Sequence, residues 1–314
     1  MPIVSANGRS HFVLDEGRGP LVLLLHGFPE SSHAWRHQVR ALAAAGFRAA
    51  APDVRGYGQT DAPPDVKDYR IAELVADAAG VVEALGEKRA VVVGHDWGAS
   101  IAWECARRRP EMFHAVAAMS VPFIPRAPAP PTTILGKRFF GSFFYMLYFQ
   151  EPGVAEKELE ADVRRSLRLI YYAGCGDTPS PGLGFAFKPP GSGLLEGMID
   201  PPALPAWWSE ADLDALTASL QRSGFRGPLN RYRAMDLDWA ESEALADAKV
   251  DVPAIFIAGD RDMTVILAAH ALERMKDHVP QLRRQVIIPG GGHWIGEEKP
   301  EEVNAALLGF LRSI

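Results

Sequence analysis

The sequence predicts an α/β protein, a mostly parallel, doubly wound sheet with a helical segment inserted between two of its strands. Three observations carry this. Short, unbroken apolar runs recur at 21–25 (LVLLL), 91–93 (VVV), 115–119 (AVAAM) and 254–258 (AIFIA), as in strands buried on both faces. Helix-length segments separate the early runs, each ending before a glycine or proline. After Met119 the strand pattern stops, and it resumes only at Val252.

Taken in order, the helices are expected at 34–45 before Gly46, at 71–85 before Gly86 and at 99–109 before Pro110, with weaker strands at 49–52 and 285–288. Strand, loop, helix and strand, repeated, is the doubly wound pattern. The interruption opens with Pro122, Pro125, Pro128, Pro130 and Pro131, then turns helical at 154–174 and 210–223 around a Gly/Pro-rich loop at 176–205. A chain of 314 residues suits one core plus one insertion. The expected division is a core of residues 1–122 and 246–314 with a helical lid at 123–245.

Composition excludes several classes. With 47% hydrophobic and 23% charged residues the chain has material for a globular core, and a net charge of -6 without long runs of one sign argues against nucleic acid. The basic spot Arg107–Arg109 lies just before Pro110, where cations complement the end of a helix. No apolar run approaches the ~20 residues that span a bilayer, and the N-terminal MPIVSANG has no signal-peptide pattern. Cys105 and Cys175 are widely spaced and without ligand-like neighbours, so a reduced, cytoplasmic setting is expected, with no metal.

The chemistry is concentrated in Gly94-His95-Asp96-Trp97-Gly98. A strand-to-helix turn flanked by small residues is a nucleophile elbow, which lifts one side chain over the sheet edge. The raised residue is usually Ser; here it is Asp. A carboxylate, already ionised at neutral pH, attacks sp³ carbon and leaves an alkyl ester for water to hydrolyse. His26-Gly27-Phe28-Pro29-Glu30 follows the 21–25 strand. In such folds that loop and the residue after the nucleophile supply oxyanion N–H groups, here Phe28 and Trp97. Pro29 invites a cis bond to Phe28. The order nucleophile, acid, base is that of α/β-hydrolases and makes His293, in Gly291-Gly292-His293-Trp294, the base. Asp260 and Asp262 are the suitably late acids; Asp262 is taken as the partner and Asp260 as a turn residue.

With these motifs, HGFPE (26–30), DVRGYG (53–58), GHDWGA (94–99), YFQEPGVAE (148–156), SGFRGPLNRY (223–232) and GHW (292–294), the chain resembles the soluble epoxide hydrolases from about residue 20 onward. The resemblance implies the α/β-hydrolase fold without the extra N-terminal domain of vertebrate relatives, and conversion of epoxides to diols with water and no cofactor. DVRGYG reads as a structural turn. The resemblance also supplies the acid that a departing alkoxide needs: two lid tyrosines, matched to Tyr145 and Tyr232, with Tyr148 a rival for the first. Phe28, Trp97, Met146 and Phe149 are candidates for the pocket wall, while Trp207 and Trp208 read as packing. The competing enzyme is a haloalkane or haloacid dehalogenase, with a similar elbow and Trp97 as a halide donor. The competing non-enzyme is a ligand-binding member of the fold, in which loss of part of the triad would be expected. Monomer and homodimer both remain open.

Overall fold

A computed structural model describes residues 3–314. Among these residues eight strands form one sheet: β1 (Ile3–Ala6), β2 (Arg9–Gly17), β3 (Leu21–Leu25), β4 (Arg48–Pro52), β5 (Ala90–His95), β6 (Phe113–Met119), β7 (Ala254–Gly259) and β8 (Leu282–Ile288). Their order is β1-β2-β4-β3-β5-β6-β7-β8. The β1–β2 and β2–β4 pairs are antiparallel, and every pair from β4 through β8 is parallel.

The period of two in a strand explains the unbroken apolar runs. Leu21, Leu23 and Leu25 of β3 join one core with Val92, Ala118 and Phe256, under α2 (Ile71–Ala84) and α3 (Trp97–Arg108). Val22 and Leu24 turn the other way, into a second core with Val91, Val93, Ile255 and Ile257. That layer is closed by α1 (Arg36–Ala44) and the last helix, Pro300–Leu311. Both faces are covered, so the central strands are apolar at nearly every position, with His114 near the start of β6 and His95 at the end of β5 the exceptions. The helices expected at 34–45, 71–85 and 99–109, before Gly46, Gly86 and Pro110, match α1, α2 and α3 to within a few residues. The DVRGYG turn places Gly56 and Gly58 at φ 91° and 56°, and Phe28–Pro29 is cis.

Between β6 and β7 the chain leaves the sheet and forms α4 (Pro131–Arg138), α5 (Tyr145–Tyr148), α6 (Val154–Glu160), α7 (Val163–Gly174), α8 (Glu210–Ser223), α9 (Arg226–Arg233) and α10 (Met235–Glu241). The helix expected over 154–174 is two helices, because the extended Asp162 caps α7 by accepting from the Arg165 amide. A third cluster joins this segment to the sheet, through Phe28, Tyr57, Phe149, Tyr171, Phe225, Tyr232 and Trp294. Its centre is a three-ring stack in which Tyr171 lies 4.1 Å from Trp208 and 4.2 Å from Trp294. No helix among the described residues is long and apolar enough to cross a membrane.

Candidate active site

Asp96 sits between β5 and α3 with φ 52° and ψ -120°, a backbone that L-residues seldom adopt. Only small neighbours allow so sharp a turn. A Cβ on Gly94 would lie 2.0 Å from the Gly98 carbonyl oxygen, and one on Gly98 would lie 1.9 Å from that of Leu25. The amide of Phe28 donates to Asp96 Oδ1 at 2.8 Å. Trp97 begins α3, where first-turn N–H groups have no carbonyl partner inside the helix.

His293 lies in the loop after β8. Its Nε2 is 3.5 Å from Asp96 Oδ2, and its Nδ1 is 3.2 Å from both oxygens of Asp262. Asp262 is 1% exposed and caps α11 (Met263–Leu267), accepting from the Thr264 amide at 2.9 Å. Asp260 instead accepts from the Gly290 amide at 2.8 Å, as a turn residue does. The histidine loop is tied to the inserted segment: the His293 amide donates to the Gly174 carbonyl at 2.8 Å, and the Trp294 indole donates to that of Tyr171 at 2.7 Å.

A second layer of polar residues lies beneath. His95 Nδ1 faces Glu30 Oε2 at 2.9 Å and its Nε2 faces the His293 carbonyl at 2.7 Å. Both of those partners accept, so His95 donates from both nitrogens as an imidazolium. Burial opposes that charge, but Glu30 outweighs it and raises the His95 pKa. His26 is the converse case. The Val54 amide donates to its Nε2 at 2.9 Å, and burial lowers its pKa, so its ring is neutral. Glu30 also accepts from the Gly27 amide at 2.8 Å, which fixes the loop that carries Phe28.

Burial would raise the pKa of Asp96, but the hydrogen bond and charge of His293, the charge of His95 and the Phe28 amide hold it below the usual carboxylate range. Asp262 is likewise lowered against burial, chiefly by His293. Burial pulls His293 down, yet Asp262 and Asp96 together raise it well above the ordinary histidine value. Tyr145 and Tyr232 are raised well above 10, first by burial and then by the charge of Asp96.

These groups share one narrow cavity of about 50 Å³, lined by Phe28, Asp96, Tyr145, Tyr232, Asp262 and His293. The two tyrosine rings are 5.9 Å apart. Tyr148 points elsewhere, its hydroxyl donating to Glu158 at 2.8 Å. Of the four candidate wall residues, Phe28 lines this cavity and Trp97, Met146 and Phe149 do not. Phe149 is fully buried behind it, its ring 4.9 Å from that of Tyr232. Ile170, Phe185 and Met263 also line the cavity and were not singled out in the sequence, nor was the Glu30–His95 pair.

The chain is similar over most of its length to known proteins. It is 41% identical to epoxide hydrolase A of Mycobacterium tuberculosis, over 99% of this chain and 97% of that one, and 38% identical to epoxide hydrolase 3 of Siraitia grosvenorii, over 98% and 96%. The chain belongs to the epoxide hydrolase family. Among solved structures, an epoxide hydrolase from an endophytic Streptomyces superposes with a TM-score of 0.96 at 46% identity, covering 99% of this chain and 94% of that one. Epoxide hydrolase A from Mycobacterium thermoresistibile gives 0.93 at 41% identity, with coverage of 99% and 97%. The α/β hydrolase fold model matches residues 20–167, which contain the elbow. Membership of the epoxide hydrolase family and the α/β-hydrolase fold agree with what the motifs implied.

Proposed function

We propose that this member of the epoxide hydrolase family opens epoxides to vicinal diols through an alkyl ester on Asp96, with Tyr145 and Tyr232 as proton donors and His293–Asp262 as the water-activating pair. The observation that carries the reading is the company Asp96 keeps: an ionised carboxylate and two protonated phenols line one cavity. An Asp96 oxygen attacks an oxirane carbon, that carbon–oxygen bond breaks, and the departing oxygen takes a proton from a tyrosine. Water then attacks the carbonyl carbon of the ester while His293 accepts its proton. The oxyanion rests on the Phe28 and Trp97 amides. Its collapse releases the diol and restores the carboxylate, and His293 keeps the water proton, having passed its own through solvent to the tyrosinate once Asp96 became an ester.

The segment 123–245 serves as the lid, since α5 and α9 bring the tyrosines over the sheet and α7 anchors the histidine loop. Apolar neighbours such as Ile170, Phe185 and Met263 suit a lipophilic epoxide. Cys105 and Cys175 are both buried and unpaired, which suits the reduced cytoplasm as its location. The test is product analysis with styrene oxide, trans-stilbene oxide and a fatty-acid epoxide beside 1-haloalkanes. Diols from epoxides, with little halide release, are expected; halide release without diol formation would replace this reading by dehalogenation.

A further inference from the structure

A second cleft, of about 260 Å³, lies behind Trp97 where α3, the loop after β6 and the α9–α10 corner meet. Its charges do not balance. Arg107, Arg108, Arg126 and Arg231 face only Glu104 and Asp238. Arg107 and Arg108 share Glu104, at 2.6 and 2.7 Å, and Arg231 pairs with Asp238. Arg126 has no carboxylate within ion-pair distance among the described residues; its guanidinium lies 4.1 Å from the centre of the Trp239 ring. The side chains of Arg107 and Arg231 are only 6% and 5% exposed, and the Nε of each has no hydrogen-bond partner. Two positive charges therefore stand uncompensated in a confined space.

The rest of the cleft is apolar. Trp103, Phe123, Trp239 and Met235 contribute to its wall, and Ile124 at its edge is 60% exposed. An uncompensated cationic spot beside a confined apolar surface matches an anion with a hydrocarbon tail. A bare inorganic anion would leave the aromatic surface unused, and a neutral lipid would leave Arg126 without a counter-charge. We infer that this cleft binds an aliphatic carboxylate, its head on Arg126 and the Arg107–Arg108 pair and its chain along Phe123, Ile124 and Trp239.

The cleft also borders the active site. Arg231 stacks 4.6 Å from the Trp97 ring, and Trp97 meets Tyr232 edge-on at 5.1 Å. The carboxylate thus belongs either to a free acid or to the far end of a long-chain substrate that passes Trp97.

The experiment titrates the full chain with decanoate and with decanol, read by calorimetry and by emission of the tryptophans that line the cleft. Saturable decanoate binding is expected, tighter than decanol by about tenfold or more, because the alcohol lacks the charge. Arg126→Gln and Ile124→Asp should each weaken decanoate by about tenfold or more. Ile124 is exposed, so its variant decides the matter if Arg126→Gln fails to fold. Equal affinity for acid and alcohol, absence of saturation, or undiminished decanoate binding in the folded variants would overturn the assignment.

A second arm identifies the source and rests on the epoxide reading, which the decanoate arm does not need. It compares hydrolysis of a long-chain epoxide bearing a terminal carboxylate with that of its methyl ester. A preference for the acid that collapses in Arg126→Gln places the carboxylate on the substrate; a preference unaltered by Arg126→Gln, beside lost decanoate binding, makes the occupant a separate acid.

Discussion

His293 holds Nε2 3.5 Å from Asp96 Oδ2, so the imidazole reads the charge of the nucleophile directly. In the resting enzyme it lies between two carboxylates, Asp96 and Asp262, and is held protonated. Alkylation turns Asp96 into a neutral ester and removes one of those charges. The pKa of His293 then falls, and the ring becomes a base when a base is needed. The timing of the second half-reaction is thus built into one contact. Asp96→Asn imitates the loss of charge, and NMR titration of the imidazole should show a lower His293 pKa than in wild type. An unchanged pKa would mean that Asp262 alone sets it.

The same contact predicts where the cycle stalls. With His293→Gln, the carboxylate still attacks but water is not activated. Mass spectrometry after mixing with epoxide should find an adduct of substrate mass on the peptide containing Asp96. A variant that turns over at the wild-type rate, or an adduct on another peptide, would remove His293 or Asp96 from these roles. Asp262→Asn should slow ester hydrolysis far more than Asp260→Asn, since only Asp262 reaches the ring.

The pH dependence of alkylation follows from the directions of the shifts. Asp96 is lowered, so it stays ionised down into acid. Tyr145 and Tyr232 are raised well above 10, so their protons are present below that and lost only in stronger base. Single-turnover alkylation should therefore show no alkaline fall between about pH 7 and about pH 10. A fall centred near pH 8 would assign the proton donor to some other group.

Much of this was legible because burial leaves a mark on sequence. Strands β3, β5, β6 and β7 are covered on both faces and read as apolar runs. By contrast β1, β2 and β8 lie toward the sheet edges, where Arg9, Arg283 and Arg284 meet solvent, and their pattern is faint or absent. The elbow was readable since its glycines lie two positions either side of Asp96 in the chain. Glu30 and His95 are 65 residues apart and make sense only as a pair, so no local signal marks them. Tyr145 lies in an aromatic stretch, FFGSFFYMLYF, that also packs the lid; the family resemblance, not the spacing, singled it out. Ile170, Phe185 and Met263 come from three separate segments that meet only at the cavity.

The loop that carries Phe28 can be tested without touching a titratable group. A Cβ on Gly27 would lie 2.3 Å from Asp96 Oδ1, so Gly27→Ala must push the carboxylate away from the Phe28 amide. A displacement of that order costs about 10²-fold when geometry limits the rate. Single-turnover alkylation should fall accordingly, and a wild-type rate would show that the carboxylate position matters less than the contact suggests.

The last prediction separates epoxide opening from halide displacement. An alkoxide leaves poorly without a proton, and a positioned acid is worth roughly 10²–10⁴-fold. Tyr145 and Tyr232 line the cavity together, so on the proposed mechanism loss of one phenol would leave the other to act in part. Tyr145→Phe and Tyr232→Phe should each slow alkylation by about one to two orders of magnitude, and the double variant should be nearly inactive. Tyr148→Phe should matter little, since that hydroxyl is committed to Glu158 at 2.8 Å. Removing two hydroxyls costs a buried site few contacts beyond the proton, so circular dichroism and melting should stay near wild type. Halide needs no proton to depart, and a dehalogenase would tolerate both changes. The measurement is single-turnover ester formation in the four variants with one epoxide substrate. If the folded double variant still forms the Asp96 ester at close to the wild-type rate, the tyrosines do not protonate the leaving oxygen, and the proposed chemistry of this cavity is wrong.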